Sequence, residues 1–345
     1  MDYRIERWYI TKEIPVFGYI AMVLMVLGAC VMIWAFRLII ANETKQWIQK
    51  NRKPLIIFLV IIMGSLFLIS AAIVVSKIKS ARQFAHFTEN IDALLESGDY
   101  TSAAEALNGH LDTRELQQKY APIIRENPVL REGLFASGSA VFYGKDYTSK
   151  KDDKLMKWYI LDKDGKNALL FMAMPDRPYA GYECIDRYSP HGGKWVESDL
   201  RDSCLPSDSP YTICGKIFSE TELKALKLVN NKSLCYTFDS DGNNGHLELM
   251  ESEDCLFPLS TDEIIAYDLY AMSSEPGCED LWGNGATQWW TRTASDYSEM
   301  MCVTGTPSDK EYTDAFSSQK AEVEKCIRLA VWVDIDTMLE MWSTE

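Results

Sequence analysis

Trp158-Tyr159-Ile160-Leu161 is followed by Asp162-Lys163-Asp164-Gly165-Lys166 and then by Ala168-Leu169-Leu170-Phe171-Met172. Two apolar runs of strand length flank a polar turn, and Asp-Gly suits a turn that needs positive φ. The stretch predicts a β-hairpin. Ala140-Val141-Phe142-Tyr143-Gly144 predicts a strand just upstream, and residues 288–293 and 327–333 predict two more. Helical signals lie between them, at 195–205 and 219–229. Ser198-Asp199-Leu200-Arg201, Ser219-Glu220-Thr221-Glu222 and Ser260-Thr261-Asp262-Glu263 each pair a capping serine with early carboxylates, the pattern of a helix start. Short strands mixed with short helices indicate an α+β domain, bounded here as 127–345.

The chain before this domain has a different composition. Residues 1–82 carry eleven Lys or Arg and four Asp or Glu, a net charge of +7. Between Ile14 and Ile40 the sole charge is Arg37, and between Leu55 and Ser76 there is none. Each run exceeds the roughly 20 apolar residues that cross a hydrocarbon core. The sequence therefore predicts transmembrane helices at 14–40 and 54–77, a tail at 1–13 and a basic loop at 41–53. The first run is too long for a signal-peptide core, and no small-residue cleavage site follows it. Arg37, Lys45, Lys50, Arg52 and Lys53 in and beside the loop outnumber Arg4, Arg7 and Lys12 before it and Lys77, Lys79 and Arg82 after it. That bias predicts the loop inside and the large C-terminal domain extracellular. The expected location is the cell membrane, spanned twice, with the lipid bilayer as a partner. Residues 78–126 read as a helical stalk, with Phe84, Phe87, Ile91, Leu94 and Leu95 at helical spacing. A break follows at Ser97-Gly98-Asp99, and a last helix from Thr113 to Arg125 stops before Asn127-Pro128.

Residues 83–345 hold the remaining 24 basic and 46 acidic residues, a net charge of −22. Nucleic acid is not an expected partner, because its binding rests on phosphate neutralisation by Lys and Arg. Of nine cysteines, Cys30 lies in an apolar run. The other eight (Cys184, Cys204, Cys214, Cys235, Cys255, Cys278, Cys302 and Cys326) lie in the acidic domain. An even count fits disulfides in an exported domain, and buried thiols are the alternative. No CxxC pair occurs, and His86, His110, His191 and His246 are scattered, so no locally spaced zinc site is expected.

Trp195, Arg201, Trp289, Trp290 and Arg292 form the candidate ligand-binding set, with Arg328 and Trp332 beside them. Aromatic faces stack on sugars, and guanidinium forks take carboxylates. The competing reading, which is preferred, is a core of large aromatics with arginines paired to buried carboxylates. Asp239, Asp241 and Asn243 alternate as at the start of a calcium loop. An EF-hand needs Gly at the sixth position and Glu at the twelfth, where Asn244 and Met250 stand. The stretch reads first as a polar turn, with calcium as the one cofactor candidate. Cys184 and His191 offer the residue types of a Cys–His pair, but nothing in the local sequence positions them. No phosphate loop, paired-histidine helix or serine elbow is present, so no catalytic residue is assigned.

A series of motifs over residues 134–336 resembles the bacterial family called domain of unknown function 6273. It runs through Val141-Phe142-Tyr143-Gly144, Lys157-Trp158-Tyr159-Ile160-Leu161-Asp162, Leu169-Leu170 and Trp195-Val196-Glu197-Ser198-Asp199-Leu200-Arg201. It continues through Ile217-Phe218-Ser219-Glu220-Thr221-Glu222, Leu256-Phe257-Pro258-Leu259-Ser260, Trp289-Trp290-Thr291-Arg292 and Ile327-Arg328-Leu329-Ala330-Val331-Trp332. Ser203-Cys204-Leu205 departs from the family's Trp-Leu-Asn, and Cys326 to Ala330 departs from its Gly-Val-Arg-Pro-Ala. The resemblance implies no activity. Trp289-Trp290-x-Arg292 and the last strand are also similar to C-type-lectin-like and sulfatase-modifying-factor domains, a likeness of fold alone. The expected function is a binding or interaction module displayed outside the cell, for a glycan or protein ligand. The alternatives are a cysteine-using enzyme or maturation factor, and a membrane accessory protein acting through its hairpin of spans.

Overall fold

The computed structural model describes residues 70, 72–79, 81–147, 154–173, 194–242, 244–269, 288–304, 315–320 and 326–344. The chain forms two compact units, Met1–Gly98 and Asp99–Glu345.

In the first unit, residues 72–79 and 81–97 are helical. The expectation of two membrane-spanning helices is overturned: among the described residues no helix is long and apolar enough to cross a membrane. The 14–40 run and most of 54–77 lie outside those residues. Where the second run is described, Ile73, Val74 and Val75 are followed at once by Lys77 and Lys79, and the helical stretch 81–97 holds Arg82, His86, Glu89, Asp92 and Glu96. Within the described residues the charge-free part of that run covers only a few positions, well short of the roughly 20 a span needs. The expected location in the cell membrane, with the domain outside, rested on those spans and falls with them.

The second unit is α+β. Three helices lead it: α1 (Tyr100–Leu107), α2 (Arg114–Glu126) and α3 (Pro128–Leu134). Each starts at a side chain that takes a backbone N–H: Asp99, Thr113 and Asn127. Those caps satisfy donors that a first helical turn leaves open. Residues 78–126 thus divide at Gly98, and α2 packs within the second unit rather than beyond it. Its buried face, Leu116, Gln117, Tyr120, Ala121 and Ile124, lies against the C-terminal helix α7 (Ile335–Thr344). Gln117 Nε2 donates to the carbonyls of Leu111 and Phe142 at 2.9 and 2.8 Å. Arg114 pairs with buried Glu222 at 2.5 Å.

The main sheet is antiparallel. Its order is β1 (Ala140–Lys145), β2 (Leu155–Asp164), β3 (Asn167–Met172), β11 (Leu329–Asp334) and β4 (Leu226–Lys227), with β7 (Leu256–Pro258) also paired to β11. The hairpin read from sequence is β2–β3. Asp164 faces Asn167, and Gly165 takes φ +59° in the turn. The register shifts between Ile160 and Asp162, leaving Leu161 as an extra residue. β2, β3 and β11 are the inner strands, and β3 and β11 are buried along nearly their whole length. The helix expected at 219–229 is a short 3-10 turn, Glu222–Ala225, because Leu226 and Lys227 are drawn into pairing with β11.

Asp334 ends β11 and ties its surroundings together. Its carboxylate accepts from Thr337 N in the first turn of α7 and pairs with Lys166 Nζ at 2.8 Å and Lys227 Nζ at 3.2 Å. Burial pushes this carboxyl up, but the bonds from Lys166, Thr337 and Lys227 outweigh it and hold the group well below the usual carboxylate range. A depressed folded-state value means stability that is fully present above the unfolded value of about 3.9 and is lost as pH falls toward the folded value. Asp334→Asn should therefore flatten the acid limb of a stability-against-pH curve below about pH 4. An unchanged limb in chemical denaturation series would contradict this linkage.

Two smaller sheets complete the unit: β10 (Phe316–Lys320), β9 (Glu299–Val303) and β8 (Trp289–Asp296) in one, and β5 (Val229–Phe238) with β6 (Gly245–Asp254) in the other. β5 packs beside β8.

Candidate functional site

Trp195 begins a 3-10 turn, Trp195–Glu197, that leads into α4 (Asp199–Cys204) and then α5 (Ile213–Ile217). Ser198 Oγ accepts from Arg201 N at 3.1 Å, the cap read from sequence. The turn sets Trp195 and Arg201 on one carboxylate, Asp254 at the end of β6. Trp195 Nε1 donates to it at 3.0 Å, Arg201 Nε at 2.7 Å, Asn231 Nδ2 at 2.9 Å and Ser252 Oγ at 2.8 Å. Trp195 and Asp254 are fully buried. Four donors on a carboxylate with no exposed surface make a closed polar knot.

Trp289, Trp290 and Arg292 lie together on β8, and all three are buried. Arg292 reaches Glu263 in α6 (Thr261–Ala266) with both ends of its fork, one contact being 2.5 Å, and donates to Pro258 O at 2.9 Å. Glu263 also closes a capping box with Ser260. Arg328 is buried between the rings of Phe171 and Trp289, 4.9 and 5.2 Å from its guanidinium carbon, and donates to the carbonyls of Met172 and Ala173. The structure thus gathers the sequence-selected aromatics and arginines into two interior clusters. Trp332 on β11 is half-buried.

Asp239 and Asp241 are exposed in the β5–β6 turn, and Asn243 lies outside the described residues. Asp239 Oδ1 is 3.3 Å from His246 Nδ1. Among the described residues no group of three or more His, Cys, Asp or Glu side chains converges as a metal site would. Cys184, His191 and Cys278 lie outside them. None of the six described domain cysteines is bridged to another of the six. Cys214 and Cys255 share a hydrogen bond that lowers the Cys214 thiol and, with burial, pushes Cys255 up. Both are at most 1% exposed, whereas a reactive thiol needs access.

The β5–β6 hairpin carries a site that the sequence reading passes over. Side chains on one face of a strand recur every second residue. In the observed register Leu234 faces Leu249 and Tyr236 faces Leu247, with Phe238 next on β5. Tyr297, in the β8–β9 turn, meets the rings of Tyr236 and Phe238 at 6.0 and 5.2 Å. Gly245 leaves room for this arrangement, since a Cβ there would stand 1.9 Å from the Tyr236 hydroxyl. Phe238, Leu247, Leu249 and Tyr297 are 45%, 42%, 63% and 50% exposed. They account for four of the seven large exposed apolar side chains described in this unit, so the surface is concentrated rather than scattered.

The opposite face of the same hairpin carries buried Asn231, Ser233, Cys235 and Ser252. The hairpin therefore inverts the usual polarity, small and polar toward the body and apolar toward solvent. The signal was present in the alternation Leu234, Tyr236, Phe238 and in Leu247, Leu249. A scan for apolar core strands discards it because the inner face is polar.

No family model, curated protein or solved structure matches the chain.

Proposed function

We propose that this protein is a binding module that takes up a segment of another protein on the outward face of β5–β6. The observation that carries the reading is the inverted polarity of that hairpin. Leaving Leu247, Leu249, Phe238 and Tyr297 in water forgoes burial worth about 25 cal/mol per Å², and a contiguous apolar patch of this kind marks an interaction surface. Leu247 and Leu249 offer no hydrogen bonds to a sugar, which favours a polypeptide over a glycan. The proposal keeps the kinship read over 134–336. In its support, most of the motifs quoted for it lie on regular elements of one unit, namely β1, β2, β3, α4, β7, β8 and β11.

Selection of a random peptide library on the full-length chain tests this reading. Enriched peptides should lose binding to a Leu249→Ser, Tyr297→Ser variant that retains the wild-type unfolding midpoint. Enrichment indifferent to that variant, or none at all, rules out this face as the binding site.

A further inference from the structure

We infer that the segment bound at this face is extended and cationic, with apolar and basic residues in alternation, and that it adds as a strand to the outer edge of β6. The inference rests on the binding role proposed above and names the chemistry of the partner.

Among the described residues β6 pairs with β5 alone. A strand edge with unpaired N–H and C=O groups is a template for another strand. An added strand continues the pleat, so its side chains would alternate between the two faces that β6 already presents. On one face lie Leu247 and Leu249, followed by Glu251 and Glu253. On the other lie His246 and Glu248. The hairpin from Val229 to Asp254 carries six carboxylates against one lysine, Lys232, and one histidine, His246. Asp254 is buried, and the other five, Asp239, Asp241, Glu248, Glu251 and Glu253, are exposed. Lys232 is 3.4 Å from Glu251. Asp296 adjoins Tyr297 on the neighbouring turn and is exposed as well.

An apolar stripe on one face selects a partner whose apolar residues fill it; in an alternating strand the Lys or Arg residues then fall on the other face, where Glu248 stands, and the remaining exposed carboxylates attract them at longer range. The same charges disfavour a second copy of this chain. Two β6 edges side by side would set Glu248, Glu251 and Glu253 against one another, and like charges across strands are destabilising.

The test is fluorescence anisotropy of the full-length chain with labelled peptides of about ten residues, the length that spans β6 at about 3.3 Å per residue. One alternates lysine and valine, one serine and valine, and one holds the same lysines and valines in two blocks. The alternating lysine peptide should bind about tenfold more tightly than the serine peptide at low salt, and raised salt should erase most of that gain. Glu248→Gln should weaken the lysine peptide alone, and Leu249→Ser should weaken both alternating peptides. Equal affinity for the lysine and serine peptides, with Leu249→Ser weakening both, would overturn the cationic partner but leave the binding face standing. Equal affinity for the blocked peptide would overturn strand addition. Indifference of every peptide to Leu249→Ser would overturn the binding face itself.

Discussion

Asp254→Ala should lower the unfolding free energy by about 3–5 kcal/mol, the usual loss when one member of a buried charged network is removed. The carboxylate is fully buried and receives Trp195 Nε1, Arg201 Nε, Asn231 Nδ2 and Ser252 Oγ. Removing it strands three buried neutral donors, each costing about 1–3 kcal/mol when unpaired, and leaves a guanidinium without its counter-ion. Arg201 is 17% exposed, so some of its charge returns to water, and the upper end of the simple sum is not reached. Asp254→Asn keeps one acceptor oxygen but turns an N–H₂ toward other donors, so it should fall between wild type and alanine. Urea unfolding reads the differences directly. A loss below about 1 kcal/mol for Asp254→Ala would mean that the knot is not a unit of the fold.

The pair Glu263 and Arg292 should respond asymmetrically. Arg292 is 3% exposed and Glu263 33% exposed. Glu263→Ala leaves a buried guanidinium without its partner and also breaks the capping box on Ser260. The first effect is worth about 3–5 kcal/mol and the second about 1 kcal/mol. Arg292→Met leaves a carboxylate that already touches water and still caps its helix, and methionine refills much of the space, so about 1–3 kcal/mol is expected. Glu263→Ala should then be partly rescued by adding Arg292→Met. Additive losses in a double-mutant cycle would contradict the account of a buried cation that depends on one carboxylate.

Much of the scaffold is legible in the sequence where local chemistry and burial agree. Asp164-Gly165 marks the β2–β3 turn, and Ser198 and Ser260 mark helix starts, because each signal is made by residues within a few positions. The helix expected at 219–229 is not formed in full, since pairing of Leu226 and Lys227 with β11 joins residues about a hundred positions apart. Such pairing leaves no trace in a short window. The runs at 14–40 and 54–77 carry the strongest hydropathy in the chain, yet no described helix is long and apolar enough to cross a membrane. The candidate aromatics stand out by their chemistry, but whether an aromatic is buried depends on what packs over it. Trp195 is closed in by Asp254, and Arg292 by Glu263. The hairpin face was missed for the opposite reason. Its apolar residues point outward over Asn231 and Ser233, and a rule that sends apolar residues inward cannot find it.

Hydrogen exchange of the full-length chain, alone and saturated with the alternating lysine and valine peptide, tests the docking face most directly. The account predicts added protection concentrated in residues 245–254, extending to the turn that holds Tyr297, with the strands β2, β3 and β11 unchanged. Protection that appears elsewhere while 245–254 exchanges as in the free protein would contradict it.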